Sequence, residues 1–99
     1  MRIVAVTACP TGIAHTYMAA EKLIATAKEL GHDIKVETQG AMGIENELSV
    51  HDIRAADAIL MAIDIVIEGE ERFENMRVLK VPIQDVLKDP KAVFKRLQA

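Results

Sequence analysis

The chain has 99 residues, 51% apolar and 27% charged, with 12 basic against 15 acidic side chains and a net charge of −3. That size and balance predict one globular domain over residues 1–99 around a single core, and the acidic excess argues against nucleic acid, whose phosphates recruit basic surfaces. Tyr17, Phe73 and Phe94 are too few for a base-stacking platform, the longest apolar run (Ala58 to Ile63) falls far short of the ~20 residues that span a bilayer, and the first residues do not read as a signal peptide, so none is expected.

In chain order, Ile3 to Thr7 is an apolar strand, and a helix is predicted from near Ile13 to Gly31, which reads as its C-cap. Ile13, Tyr17, Ala20, Ile24, Ala27 and Leu30 step by three or four and predict the stripe that faces the sheet, with Tyr17 as core and not ligand. The second strand, Ile34 to Thr38, alternates apolar Ile34 and Val36 with Lys35 and Glu37. Gln39, Gly40 and Gly43 follow it as a turn. Ser49-Val50-His51-Asp52 spells a capping box for a short helix through Ala56. The third strand, Ala58 to Ile63, is apolar on both faces, the fourth is Val78 to Val81, and Asp89-Pro90 reads as N-cap and first residue of a final helix.

Strands that are apolar throughout belong in the middle of a sheet and alternating ones at its edges. The expectation is an α/β fold, an open four-stranded, mainly parallel sheet of order 2-1-3-4 with helices on both faces. Ligands of such sheets bind beyond the carboxyl ends of the strands, at the point where the strand order reverses.

At that point stands the only cysteine, in Thr7-Ala8-Cys9-Pro10-Thr11-Gly12-Ile13-Ala14-His15-Thr16. The unpaired N–H groups and positive dipole end of a helix N-terminus favour both a thiolate and an anion bound beside it. The competing reading is a small buried hydrophobe that ends the strand. Pro10, Thr11 and Gly12 cannot extend a central strand, however, and Thr11 and Thr16 add hydroxyl donors, so Cys9 is the candidate nucleophile.

The run lacks the Gly-Lys-Ser/Thr ending of a nucleotide P-loop and the GxGxxG fingerprint of dinucleotide sites. The tyrosine-phosphatase signature places an arginine on the sixth residue after its cysteine. Here that residue is His15, which cannot supply the bidentate, permanently charged fork. His15 is read either as a phosphate contact or as a solvated surface histidine. With Cys9 and His15, neither His32 nor His51 makes a metal-ligand spacing, and no metal or cofactor is expected. A lone cysteine excludes an internal disulfide and fits a reducing cytosol.

The segment Ala8-Cys9-Pro10-Thr11-Gly12-Ile13-Ala14-His15-Thr16-Tyr17-Met18-Ala19-Ala20-Glu21 resembles the phosphorylation site of the fructose-type enzyme IIB component of the bacterial phosphoenolpyruvate-dependent sugar phosphotransferase system. Val36-Glu37-Thr38-Gln39-Gly40 and Gly43-Ile44-Glu45-Asn46 are similar to that family's second stretch, and Arg72-Phe73 to its late Arg-Phe pair. The chain then reads Glu74-Asn75-Met76-Arg77 where the family more usually has a Gly-Lys turn.

The resemblance implies that Cys9 takes a phosphoryl group from a phosphohistidine on the IIA component and passes it to fructose or a related sugar carried by the membrane IIC component. It also implies a cytoplasmic protein, at the inner face of the membrane when docked to or fused with the transporter. The phosphate would lie among Thr11, Gly12, Ile13, Ala14, His15 and Thr16, while Gln39, Gly40 and Met42 would shape the site or a docking surface. The sheet expected here also resembles that of low-molecular-weight phosphatases. The alternative function is therefore a hydrolase using Cys9, with Asp89 as general acid. A phosphate-binding module without chemistry is a third reading, which would leave Cys9 dispensable.

Overall fold

Arg2–Ala8 form β1, whose residues from Ile3 onward are all buried because it has a strand on each side and helices over both faces. The structure, a computed structural model, describes residues 1–10 and 13–98. Helix α1 (Ile13–Glu29), β2 (Asp33–Gly40), β3 (Gly43–Glu45), α2 (Val50–Ala55) and β4 (Ala58–Ile63) follow. A 3-10 turn (Glu70–Phe73), β5 (Leu79–Val81), α3 (Ile83–Lys88) and α4 (Pro90–Gln98) complete the order. The sheet runs β3-β2-β1-β4-β5. All neighbours are parallel except the β2–β3 hairpin.

The predicted four-strand order is present, and β3 is added to it. Sequence reading takes Gln39 to Gly43 as a turn, whereas Gln39 and Gly40 continue β2 and pair back onto Ile44 and Gly43. β2 is therefore not an edge. A three-residue strand is too short to show a period, which is why β3 escapes the pattern.

The buried face of α1 is also displaced from the predicted stripe. Thr16, Ala19, Ala20, Leu23, Thr26 and Ala27 are buried, whereas Ile24 and Leu30 are 49% and 42% exposed. Small residues let the helix lie close to the sheet, and the larger apolar side chains fall on the outer shoulder. The end of α1 is as read: His32 N–H donates to Ala27 O (2.8 Å) and Gly31 N–H to Lys28 O (3.2 Å), the paired bonds of a Schellman motif.

Two cores flank the sheet. Ile3, Ala5, Leu23, Leu60, Val86 and Phe94 pack between the sheet and α1, α3 and α4. Val4, Val6, Leu48, Ile53, Met61 and Phe73 fill the opposite face beneath α2 and the 3-10 turn. Full burial of such side chains contributes about 1.5–3 kcal/mol each. The capping box of α2 is formed, with Asp52 N–H donating to Ser49 Oγ (3.0 Å) and Ser49 N–H to Asp52 Oδ2 (2.9 Å). Lys35 Nζ, 2.8 Å from Asp52 Oδ2, together with the Ser49 N–H holds that carboxyl down at about 2.

Candidate functional site

Parallel pairing brings the carboxyl ends of β2, β1 and β4 to one edge of the sheet. Ala8 pairs with Gln39 on one side and Ile63 on the other, so the residue after it, Cys9, stands where the chain order reverses. Cys9 is half-buried and packs against the α1-side core. Asp64 N–H donates to Ala8 O (3.1 Å), and Asp64 Oδ1 accepts from Ile83 N–H (3.3 Å), joining the end of β4 to β1 and to the start of α3.

The approach from β1 into α1 is held by a buried bond from Thr7 Oγ1 to Thr16 O (3.0 Å). Thr16 is 0% exposed, and its own hydroxyl has no hydrogen-bond partner among the described residues. Ala14 and His15 are exposed in the same first turn. Ile13 begins α1, and Thr11 and Gly12 of the predicted phosphate loop lie outside the described residues.

Tyr17 is half-buried against the end of β2. Burial pushes its phenol above the ordinary value, and the neighbouring Glu45 carboxylate adds to this. A Cβ placed on Gly40 would stand 3.2 Å from the Tyr17 hydroxyl, closer than most Cβ contacts, so the tyrosine would have to shift by a few tenths of an ångström to admit one. Gly40→Ala is expected to lower the melting temperature, and Tyr17→Phe, which removes the crowding oxygen, to restore most of that loss in the double variant. Thermal melts of the two single variants and the double check this; additive losses would mean that the contact is not the cause.

Gln39 does more than flank the cysteine. Its Nε2 donates to Glu68 O (2.9 Å) and to Glu37 Oε2 (2.6 Å), and its Oε1 accepts from Glu68 N–H (2.9 Å). Because β1 lies between β2 and β4, this pair of contacts carries the segment after β4 across the end of β1. Behind it sits a group that sequence reading missed. Glu37, read as an outward residue of an alternating strand, is 0% exposed and faces Arg72, whose side chain is 12% exposed. Arg72 Nη1 donates to Glu37 Oε1 (2.7 Å) and Leu48 O (2.7 Å), Nη2 to Glu37 Oε2 (3.0 Å), and Nε to Gly69 O (2.7 Å). Gly69, at φ 74°, is needed here, since a Cβ would lie 2.7 Å from Arg72 Nε. Burial alone would raise the Glu37 carboxyl, but the Arg72, Leu48 and Gln39 hydrogen bonds and the Arg72 charge outweigh it and leave it lowered.

Comparison with known proteins decides which family this geometry belongs to. Residues 4–96 match the family model described as the PTS system, lactose/cellobiose-specific IIB subunit. The PTS system fructose-like EIIB component 2 of Escherichia coli (strain K12) is 48% identical over 98 residues, covering 99% of this chain and 92% of that protein. The chain belongs to the IIB family of the sugar phosphotransferase system, in its fructose-like branch. The IIB fold is equally clear. A predicted fructose-specific IIB from Escherichia coli superposes with TM-score 0.91 at 44% identity, covering 98% of this chain and 86% of that one. A domain of the fructose-specific IIABC component of Borrelia burgdorferi gives TM-score 0.90 at 46% identity, over 96% and 90% of the two chains. The PTS system fructose-specific EIIABC component of Bacillus subtilis (strain 168) is 50% identical over 95 residues, which are 96% of this chain and 15% of that protein. IIB components are sugar phosphotransferase domains, and no helix among the described residues of this one is long and apolar enough to cross a membrane.

Proposed function

We propose that this IIB chain is a phosphoryl relay in which Cys9 is the carrier. The thiolate Sγ attacks the phosphorus of a phosphohistidine on the IIA component; the S–P bond forms as the N–P bond breaks, and the imidazole leaves and takes up a proton. A sugar hydroxyl presented by the membrane IIC component then attacks and gives up its proton to solvent; the O–P bond forms as the S–P bond breaks, and the thiolate departs. IIA and IIC are the partners that the fused EIIBC and EIIABC relatives suggest. The observation that carries the reading is the position of Cys9 at the carboxyl end of the central strand and just before the N-terminus of a 17-residue helix. Backbone N–H groups from Thr11 to Thr16 and the Thr16 hydroxyl, which has no partner among the described residues, would receive the phosphoryl oxygens, and Met42, 74% exposed in the β2–β3 turn, would meet a docked protein.

The hydrolase reading is less well supported. Asp89, its acid, accepts from Ala92 N–H (3.2 Å) as the cap of α4, and His15 stands where a phosphatase carries its arginine clamp. The testing experiment offers the chain phosphorylated IIA protein and, separately, an aryl phosphate. Label is expected on Cys9 from the first, released when sugar-loaded IIC is added, with the second left essentially unhydrolysed. Brisk aryl phosphate turnover abolished by Asp89→Asn would favour the hydrolase.

A further inference from the structure

We propose that Arg72 is a positioning residue, acting through Glu37 and Gln39 to hold segment 64–68 across the end of β1 and thereby to set the affinity for the phosphorylated donor protein. The proposal rests on the relay reading. Its physical basis is the bracket itself: a buried, bidentate carboxylate–guanidinium pair whose remaining donors and acceptors are all taken by the chain segments around it. The Arg72 fork fixes the Leu48 and Gly69 carbonyls, and its Nη2 also reaches Glu68 O (3.2 Å). Glu37 in turn orients Gln39, and Gln39 grips both backbone groups of Glu68.

What the bracket presents is apolar. Ile65 and Val66 are 38% and 88% exposed, between the end of β4 and the clamped Glu68, on the same edge of the sheet as Cys9. On the other side of Cys9 stands Met42. Ile65 and Val66 on one side of Cys9 and Met42 on the other form a surface that a docking protein desolvates, and a segment already ordered spares the partner the entropy of ordering it. The donors of Arg72 and Gln39 are spent within the bracket, on Glu37, Leu48, Glu68 and Gly69, so the effect is expected on association and not on transfer.

The test uses Gln39→Ala in the full chain, because it cuts both Gln39 bonds to the Glu68 backbone, leaving only the longer Arg72 Nη2 contact to Glu68 O, and keeps the Arg72–Glu37 pair in place. With phosphorylated IIA protein as donor, KM is expected to rise roughly tenfold, as for loss of one or two hydrogen bonds, with kcat within about twofold of the parent. Val66→Ser, which cannot disturb the core, is expected to raise KM as well, and the double variant to show less than the product of the two effects, since an unheld segment no longer presents Val66. An unchanged KM for Gln39→Ala, an equal fall in kcat and kcat/KM, or fully multiplicative effects would overturn the inference while the parent continues to accept phosphate at Cys9. A parent chain that takes no phosphate from IIA would overturn the relay reading, and this inference with it.

Discussion

Cys9→Ser is expected to fold as the parent does and to lose phosphoryl acceptance by at least about four orders of magnitude. A serine hydroxyl is a few tenths of an ångström shorter in reach, and as an oxygen nucleophile it is both less reactive at neutral pH and a poorer leaving group than a cysteine sulfur. Cys9 is half-buried and touches the core, so the matching thermal melt establishes that the lost transfer is chemical. Labelling with phosphorylated IIA protein followed by mass mapping reads the outcome, and a serine variant that takes label at the parent rate would return the protein to the class of phosphate-binding modules.

Arg72→Ala should be among the most damaging single changes to stability. It leaves the buried Glu37 carboxylate without its charge partner and frees the Leu48 and Gly69 carbonyls. Removing one partner of a buried pair costs about 3–5 kcal/mol, which in a chain of this size lowers the melting temperature by on the order of 15 °C. Glu37→Gln, which keeps an acceptor for Leu48 N–H, should cost less.

The same site gives a pH signature. Because the folded Glu37 carboxyl lies below its ordinary value of 4.5, the unfolded chain binds its proton first as pH falls. Its share of stability is complete above about pH 4.5, shrinks as the pH drops, and is gone below the folded value. Urea midpoints measured from pH 7 to pH 3 should therefore fall more steeply for the parent than for Glu37→Gln; parallel curves would mean that the carboxyl is not held as described.

The strand-to-helix junction around Cys9, the capping box at Ser49 and the Asp89-Pro90 helix start could be read from local chemistry, because each depends on neighbours within a few residues. The central position of β1 and β4 followed from their unbroken apolar character. The bracket could not be read that way. Glu37 and Arg72 are separated by more than a third of the chain, and an acidic residue in an alternating strand is ordinarily solvated; only the 3-10 turn closing over that face buries it. The displaced stripe on α1 has a similar origin. Hydrophobicity ranks Ile24 and Leu30 above Thr16 and Thr26, but the closeness of helix to sheet selects small side chains over greasy ones.

The middle position of β1 also imposes an order on folding. It is the first strand of this sheet in chain order, yet one of its two partners, β4, pairs Ala58 with Ile3 and Ile63 with Ala8, so α1, β2, β3 and α2 must all be synthesised after it before that side is covered. Until then the carboxyl edge where Cys9 stands has neighbours on one side only. Parallel pairings across such separations form late, since loop closure precedes any gain from contact. During synthesis the segment Ile3 to Ala8 is thus an exposed apolar strand awaiting its second neighbour, and the span from α1 to α2 is the interval for which the nascent chain must be kept from pairing elsewhere.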